Sequence, residues 1–237
     1  MSVQQTAVIH WQDLCYRWPG QQHDCLNLAD FTLAAGERVF LHGPSGSGKS
    51  TLLSLVSGVL AARCGALSVL GHPLTQLSPR QRDHFRVDHI GFIFQQFNLI
   101  PYLSVLDNVL LPLRFSSLRR HAAAQGGKIE DEARRLLQRL DIGPALQRRI
   151  ATELSVGQQQ RVAAARALIG APALVIADEP TSALDSERQQ GFIDLLLQQC
   201  AASNAALLFV SHDLRLAGHF GQCLALQDIN RAAHEEA

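Results

Sequence analysis

The chain has 237 residues, of which 47% are hydrophobic, so it is long enough for one large domain or for a domain with a subdomain. Lysine plus arginine and aspartate plus glutamate both number 21, and this balance argues against a surface that coats nucleic acid. The N-terminus lacks the charged and apolar regions of a signal peptide, and no apolar run approaches the roughly 18 residues of a membrane span. We therefore expect a cytoplasmic protein that has no nucleic-acid partner and meets a membrane only through another protein.

The five cysteines are scattered along the chain, and no two of them form a C-x-x-C pair. This spacing predicts neither a disulfide framework nor a zinc knuckle. The ten histidines also show no metal-ligand spacing. We expect all of them except His212 to be surface or packing residues.

The N-terminal part of the chain predicts β-strands that lead into a phosphate-binding loop. Strand patterns lie at 7–14, 26–33, 38–42 and 66–70. The stretch Gly43–Thr51 reads Gly-Pro-Ser-Gly-Ser-Gly-Lys-Ser-Thr and fits G-x-x-x-x-G-K-[ST], and a helix is predicted from Ser50. A strand, this loop and a helix start direct several backbone N–H groups at one point, which suits a triphosphate.

Each residue of this loop is a candidate contact for the triphosphate. Lys49 would place its charge on the β- and γ-phosphates, and the Ser50 hydroxyl would ligate Mg²⁺. Glycines let the backbone wrap the phosphates without Cβ clashes. The predicted nucleotide-binding residues here, which the resemblance below makes contacts for ATP, are Gly43, Pro44, Ser45, Gly46, Ser47, Gly48, Lys49, Ser50 and Thr51.

The middle of the chain is mostly helical by pattern. Helices are predicted at Ser104–Leu113 and Ile129–Leu140, with a mobile low-complexity connector at Ser116–Lys128 between them. A third helix follows Leu154-Ser-Val-Gly-Gln158, and the Ser and Gly at its start give a second helix N-terminus that can receive an anion. Two such starts in one chain indicate a C2 dimer that sandwiches two nucleotides.

An acidic pair ends the next buried strand, Ala173–Glu179. Asp178 is predicted to hold Mg²⁺, and Glu179 to take a proton from the attacking water. Two acids after a strand can also begin a turn or cap a helix, but their place after a phosphate loop favours catalysis. A helix at Arg188–Gln199, a buried strand at Leu207–Ser211 and a last strand at Cys223–Leu226 complete the pattern.

Taken in order, these segments resemble the nucleotide-binding subunit of ABC transporters over essentially the whole chain. The matching segments are the phosphate loop Gly43–Thr51, the Q-loop Phe94-Gln95, the signature Leu154–Gln158, the Walker B strand Leu174–Asp178 with Glu179, the D-loop Ser182–Asp185 and the switch residue His212. The resemblance implies an α/β fold: a phosphate-loop NTPase core lobe with an N-terminal antiparallel β subdomain, and a helical signature lobe. One domain would span 1–237, with the core lobe at about 3–95 and 171–228, the helical lobe at about 97–168 and a polar tail at 229–237.

The resemblance also implies roles for individual residues. Glu179, His212 and Gln95 would be catalytic, and Ser50, Gln95 and Asp178 would hold Mg²⁺. The signature residues would bind the γ-phosphate held by the opposite subunit, Asp185 would touch the partner's phosphate loop, and adenine would stack on Trp18 or, as the second choice, Tyr16. The implied ATP contacts outside the phosphate loop are thus Trp18, Ser155, Gly157, Gln158 and Asp185.

The segments Ile90–Leu113 and Asp178–Ser186 are most similar to ATPases of the macrolide-exporter and lipoprotein-releasing type. This likeness implies an ATP-hydrolysing subunit that forms a homodimer with ATP and drives a separate integral membrane permease from the cytoplasmic face of the inner membrane. Phe97, Leu99 and Ile100 would either line the permease groove or belong to the core. An alternative is a regulatory ABC ATPase that controls a membrane partner such as a cell-wall hydrolase activator. A soluble ABC ATPase of DNA repair or translation is disfavoured, because the chain has one cassette, no long heptad run and no cysteine pairs.

The signature departs from the usual Leu-Ser-Gly-Gly-Gln at one position, where Val156 replaces the first glycine. A positive φ at this position would make a β-branched residue costly, by about 1–3 kcal/mol. A negative φ would make the change mild. The sequence leaves both possibilities open.

Overall fold

The computed structural model describes residues 7–232, apart from the side chain of Ser186. The strands in this part are β1 (Ala7–Tyr16), β2 (Leu26–Leu28), β3 (Phe31–Ala34), β4 (Arg38–His42), β5 (Cys64–Val69), β6 (His72–Pro73), β7 (Ile90–Ile93), β8 (Leu174–Asp178), β9 (Ala206–Val210) and β10 (Gln222–Ala225). The α-helices are α1 (Lys49–Val56), α2 (Pro79–His89), α3 (Val105–Leu110), α4 (Ser117–Ala124), α5 (Ile129–Arg139), α6 (Val156–Leu168), α7 (Ser186–Ala202) and α8 (Leu226–Ile229). Within residues 7–232, none of the helices has the length and hydropathy of a membrane span.

The strands form two sheets of different kinds. The first is antiparallel: β1 pairs with β2, β3 and β5, and β5 pairs with β6. The second is parallel, with the strand order β10-β4-β9-β8-β7. The α/β fold with an antiparallel β subdomain is therefore confirmed. The segment 26–33, which the pattern predicts as one strand, is divided into β2 and β3.

Alternation along the parallel strands divides the core into two clusters. In β4, Phe40 faces one cluster, whereas Val39 and Leu41 face the other. Strands β8 and β9 alternate in the same way, because successive side chains of a strand point to opposite faces. One cluster joins the parallel sheet to α3, α5, α6 and α7, and the other joins it to the antiparallel sheet, α1 and α2. Because the parallel sheet is buried on both faces, its strands have continuous apolar sequences rather than an alternating pattern.

The segment Ser116–Lys128 is not the mobile connector predicted from its composition. Its first part forms α4, which is capped where the Ser116 hydroxyl accepts a hydrogen bond from the Arg119 backbone N–H at 3.0 Å. Arg119 itself is only 3% exposed, because its guanidinium donates to carbonyls at the end of α6. Long-range contacts of one arginine therefore order a segment that the local sequence leaves undecided.

The cysteine spacing predicts no disulfide framework, and the structure contains one disulfide that this spacing did not indicate. Cys15 on β1 and Cys64 on β5 form a disulfide, with Cα atoms 5.1 Å apart. The two residues are direct partners in the antiparallel ladder, although 49 positions separate them in the sequence. Their Cα separation is within the range that a disulfide bridges. Sequence spacing cannot reveal a pair that only the sheet register brings together.

The predicted polar tail is also partly ordered. Asn230 is buried, and its side chain accepts a hydrogen bond from the Asn27 backbone N–H at 2.9 Å and donates to the Cys25 carbonyl at 3.1 Å. These bonds tie the end of α8 to the antiparallel sheet. Residues 233–237 of the predicted tail and residues 1–6, on which the start of the core lobe and the signal-peptide expectation fall, lie outside the described residues.

Candidate active site

The order of the parallel strands brings the predicted catalytic residues to one edge of the sheet. The strands β4, β9, β8 and β7 are neighbours in that order. The phosphate loop follows β4, His212 follows β9, Glu179 follows β8 and Gln95 follows β7. Chemistry in such sheets is expected beyond the carboxyl ends of the strands. Segments that lie far apart in the sequence therefore meet here.

These strand ends enclose a cavity of about 640 Å³. It contains most of the residues predicted to act on one nucleotide in the same chain. The residues that line it are Trp18, Cys25, Gly43, Pro44, Ser45, Gly46, Gly48, Lys49, Ser50, Thr51, Gln95, Asp178, Glu179 and His212. Ser47, also predicted to contact ATP, is 5% exposed, and a Cβ at Gly43 would lie 2.9 Å from its hydroxyl. Its side chain therefore packs beneath the loop.

Two glycines allow the phosphate loop to turn into α1. Gly46 and Gly48 have φ of +79° and +97°, a region that other residues rarely adopt. Gly48 is the N-cap of α1, and a Cβ added there would approach the Leu26 side chain at 2.6 Å. Both backbone conformation and space therefore require glycine at the point where the helix begins.

Lys49 is held at the centre of the loop. Its ammonium group donates to the carbonyls of Gly43 at 2.7 Å and Pro44 at 2.8 Å. An ammonium group has three donors, so one remains for an anionic oxygen. The lysine charge and the backbone N–H groups at the start of α1 thus face the same cavity.

Glu179 lies in a strained turn directly after β8. Its φ is +45°, and its backbone N–H donates to the Val210 carbonyl at 2.9 Å. Nδ1 of His212 lies 3.0 and 2.9 Å from the two carboxylate oxygens of Glu179. This contact uses one ring nitrogen, so a bond from His212 to a γ-phosphate would fall to Nε2. Strained backbone of this kind concentrates at active sites.

Asp178, the last residue of β8, is partly buried. Burial, followed by the neighbouring charge of Glu179, raises the pKa of Asp178, and Lys49 opposes the shift. A divalent cation would stabilise the ionised carboxylate in the same way as Lys49 does. Ser50 and Gln95 line the same cavity and offer hydroxyl and amide oxygens. This donor set of three oxygens fits Mg²⁺, which prefers oxygen ligands and shares its shell with substrate phosphates.

The two aromatic candidates for adenine stacking have different environments. Trp18 is 44% exposed and lines the cavity, whereas Tyr16 is 8% exposed. The Tyr16 ring stands edge-on to Trp18, with centroids 5.2 Å apart. Trp18 therefore presents the available ring. Cys25 also lines the cavity, and no motif or spacing in the sequence indicates this position.

The signature residues line a different cleft, of about 270 Å³. Ser155 is the N-cap of α6 in a capping box: its backbone N–H donates to Gln158 Oε1 at 3.0 Å, and its hydroxyl accepts from the Gln158 N–H at 3.4 Å. The cleft is lined by Asp141, Ser155, Gly157, Gln158, Gln160, Arg161, Leu184, Arg188 and Phe192. The predicted nucleotide contacts of one chain thus lie on two separate surfaces.

Asp185 and Val156 both lie at helix starts. Asp185 is the N-cap of α7 and accepts a hydrogen bond from the Arg188 backbone N–H at 2.9 Å. Val156 is the first residue of α6 and lies in right-handed helical backbone, with its side chain 46% exposed. The valine therefore replaces a glycine at a position where φ is negative. Of the two possibilities that the sequence left open, the negative φ is found, so the change from glycine to valine is mild.

Of the three apolar residues after the Q-loop, Phe97 is buried, whereas Leu99 and Ile100 are half-buried. Phe97 is only 7% exposed, and Leu99 packs against the helical core cluster. Phe97 is therefore a core residue, which is the second of the two alternatives that the sequence left open. The exposed aromatic rings nearby are Phe94, 38% exposed, and Tyr102, 77% exposed.

A glycine-rich loop between strand and helix, an acidic pair on a nearby strand and a separate signature helix define a phosphate-loop nucleotide-binding cassette. The family model for ABC transporters matches residues 26–182. A relative that is 39% identical over 208 residues, the uncharacterized ABC transporter ATP-binding protein YbbA of Escherichia coli K12, matches over 88% of this chain and 87% of its own length. The lipoprotein-releasing system ATP-binding protein LolD of Hydrogenovibrio crunogenus is 43% identical over 188 residues, which cover 79% of each protein.

A solved structure agrees with this assignment. The dimeric, post-hydrolysis state of the ATP-binding cassette MJ0796 bound to ADP and Pi has a TM-score of 0.79 and 31% sequence identity, covering 97% of this chain and 99% of that chain. The chain belongs to the ABC transporter family. The predicted resemblance to the lipoprotein-releasing type is confirmed by the LolD relatives.

Proposed function

We propose that this chain is the ATP-hydrolysing subunit of an ABC transporter, in which ATP-driven pairing of two copies changes the conformation of a separate membrane permease. One observation carries the proposal. The loops after four neighbouring parallel strands converge on one cavity, while the signature residues line another cleft on the same chain. The working unit is one ATPase domain, with a core lobe at about 3–95 and 171–228 and a helical lobe at about 97–168.

The residues around the cavity have different roles in ATP hydrolysis. Lys49 and the N–H groups of the phosphate loop bind the β- and γ-phosphates. Gln95 orients the attacking water, and Glu179 accepts its proton as the oxygen bonds to the γ-phosphorus and the bond to the bridging oxygen breaks. His212, already in contact with Glu179, orients the carboxylate and donates to the γ-phosphate. When bound by Ser50, Asp178 and Gln95, Mg²⁺ supplies positive charge that neutralises the phosphates.

A second copy completes each site. Ser155, Gly157 and Gln158 bind the γ-phosphate of the nucleotide on the opposite chain, and Asp185 contacts the partner's phosphate loop. The head-to-tail arrangement is isologous, so two copies close two equivalent sites. The dimeric form of the MJ0796 cassette supports this arrangement.

The permease would bind beside the Q-loop, so that the dimer acts from the cytoplasmic face of the inner membrane. Phe94, directly before Gln95, and Tyr102, further along the same segment, offer exposed aromatic surface, and such surface is typical of protein interaction sites. The likeness to LolD favours export or lipoprotein extraction as the process that is driven.

The test is size-exclusion chromatography of the full chain carrying Glu179→Gln, with and without Mg-ATP. We expect a shift from monomer to dimer with ATP, because the variant binds the nucleotide but hydrolyses it slowly. The matched control adds Lys49→Ala to the same chain, which removes the phosphate contact and abolishes the shift.

A dimer that forms equally without ATP would contradict the proposal. The proposal would also be contradicted if the Glu179→Gln chain binds ATP but does not pair with a second copy, either alone or together with a co-expressed permease. A wild-type chain that binds ATP but releases no phosphate under either condition would contradict the ATPase assignment.

A further inference from the structure

Two buried side chains of the signature helix α6 reach the turns that follow two strands of the parallel sheet. Gln160 has no exposed surface, and its Nε2 donates to the Pro180 carbonyl at 2.6 Å. Arg166 is 9% exposed, and its guanidinium donates to the Asn98 carbonyl at 2.6 Å and the Phe97 carbonyl at 2.5 Å. The helix that begins with the signature is thus bonded to both turns through buried contacts.

Both turns contain backbone in a left-handed conformation. Phe97 and Asn98 have φ of +59° and +49°, and Glu179, directly before Pro180, has φ of +45°. Such conformations are unfavourable for Phe97 and Glu179, although asparagine tolerates them, and they persist only when surrounding contacts impose them. The bonds from Gln160 and Arg166 are contacts of this kind, since each holds a carbonyl within or next to a strained residue.

The two turns are also the ones that carry the proposed chemistry. Gln95 lies two residues before Phe97, and Glu179 lies immediately before Pro180. Both side chains line the nucleotide cavity. A small displacement of either turn would move the group that orients the water or the group that accepts its proton.

We propose that Gln160 and Arg166 are positioning residues, which hold the turns of Glu179 and Gln95 in register with the signature helix. The proposal rests on the function proposed above. When the start of α6 closes on the nucleotide of a second copy, the helix shifts. The hydrogen bonds of Gln160 and Arg166 then move the catalytic turns of the same chain with it. Hydrolysis at one site thereby depends on engagement at the other.

The hydrogen bonding of Gln160 argues against a role in stability alone. Its Oε1 is buried and has no hydrogen-bond partner among residues 7–232. An unsatisfied buried acceptor destabilises a fold, so an apolar residue of the same size would serve packing better. What the glutamine uniquely supplies here is the bond to the Pro180 carbonyl.

The chain contains a matched control for Arg166. Arg119 is 3% exposed and donates to the Ala167 carbonyl at 2.6 Å and the Ile169 carbonyl at 2.5 Å, at the far end of α6. Both arginines are buried and bind backbone carbonyls, and burial lowers the pKa of both. Only Arg166 bonds to a turn beside the nucleotide cavity, so equivalent substitutions separate positioning from stability.

The test compares Gln160→Met, Arg166→Met, Arg166→Lys and Arg119→Met in the full chain. Mg-ATPase kcat and KM are measured together with the affinity for a fluorescent ATP analogue, and rates are referred to the fraction of chain that binds nucleotide. We expect kcat to fall about 10- to 100-fold in Gln160→Met and Arg166→Met, because misplacement by about 1 Å has effects of this size. KM and nucleotide affinity should stay within about twofold, since the phosphate loop is untouched.

Arg119→Met should lower the thermal midpoint but keep wild-type kcat, and Arg166→Lys should recover part of the rate, because an ammonium group still reaches one carbonyl. If Arg166→Met does not fold, Gln160→Met and Arg166→Lys decide the question. A wild-type kcat in Gln160→Met and in Arg166→Lys would overturn the positioning role. So would a loss of kcat in Arg119→Met as large as that in the Gln160 and Arg166 variants. Either result would leave the ATPase function intact. A wild-type chain with no ATPase activity, alone or with its permease, would instead overturn both proposals.

Discussion

The two helix starts that we propose as phosphate sites, at α1 and α6, differ in how their backbone N–H groups are satisfied. At α1 the N-cap is a left-handed glycine, Gly48, and no side chain of residues 7–232 caps it. At α6 the N-cap Ser155 and Gln158 exchange hydrogen bonds in a capping box. The first helix start is open to an anion, because its leading N–H groups lack intrahelical partners. At the second, the capping box satisfies the N–H groups of Ser155 and Gln158.

This difference predicts an order of events. A nucleotide meets unsatisfied donors and the Lys49 charge at α1, so binding there needs no second chain. At α6 a phosphate that used the Ser155 hydroxyl or the Gln158 N–H would have to share or displace the capping bonds of these two residues. We therefore expect the signature to act late, when a second copy presents a nucleotide that its own phosphate loop already holds.

The largest effect is expected from Glu179→Gln, which affects the chemistry at the α1 side. Losing the proton acceptor should lower ATP hydrolysis by about 10²- to 10⁴-fold while ATP affinity is kept. Phosphate release and nucleotide titration measure the two quantities. The control is Glu187→Gln, an exposed glutamate in the first turn of α7. Hydrolysis at the wild-type rate in Glu179→Gln would remove Glu179 from the mechanism.

Lys49→Ala should give the next largest effect, and on binding rather than on rate alone. A charged hydrogen bond contributes about 1.5–3 kcal/mol, so ATP affinity should fall about 10- to 100-fold. Equilibrium titration with a fluorescent ATP analogue measures the change. Lys128, the only other lysine of the chain, is exposed and supplies the control Lys128→Ala. Unchanged ATP affinity in Lys49→Ala would show that the start of α1 binds phosphate without this charge.

The α1 side of the comparison could be predicted almost completely from the sequence, because its parts are local. The phosphate loop, the strand before it and the helix after it are contiguous, and the acidic pair directly follows an apolar run. The strand order that brings Glu179, His212 and Gln95 together is not local, and it entered only through the resemblance to a family. Family likeness thus supplied what periodicity does not encode.

Features that depend on distant partners could not be predicted. The burial of Arg119 orders α4 through carbonyls some 50 residues away in sequence, so composition alone suggested a mobile connector. The Cys15–Cys64 disulfide depends on the register between β1 and β5. Cys25 lines the nucleotide cavity only because the turn before β2 folds back beside the phosphate loop. In each case the contact that determines the structure is long-range, and no short sequence motif predicts it.

Ser155→Ala examines the α6 side of the comparison and should have a moderate effect. Losing the cap destabilises the helix start by about 1 kcal/mol and removes a hydroxyl from the partner's phosphate. We expect ATP-dependent dimerisation of the Glu179→Gln chain to weaken about 10-fold, with nucleotide affinity of the monomer unchanged. Sedimentation equilibrium with Mg-ATP measures the dimer constant.

The control for this change is unusually close in chemistry. Ser78 and Gln81 form the same capping box at α2, with bonds of 2.9 and 3.4 Å. Ser78→Ala should therefore lower stability by a similar amount and leave dimerisation alone. Equal weakening of the dimer in both variants would mean that helix stability, rather than the signature hydroxyl, governs closure.

The smallest effect is expected from Val156→Gly, which restores the usual signature. Val156 is the first helical residue, 46% exposed, and has a negative φ, so glycine relieves no backbone strain there. Glycine instead adds freedom to the unfolded chain, which should lower stability by at most about 1 kcal/mol and change dimerisation less than about threefold. Urea unfolding and sedimentation of the Glu179→Gln chain measure both, and Val156→Ala distinguishes loss of the branched side chain from gain of glycine freedom. A dimer tightened more than about tenfold by glycine and alanine alike would show that the exposed valine obstructs closure, so that α6 would be restrained by its side chain as well as by its capping box.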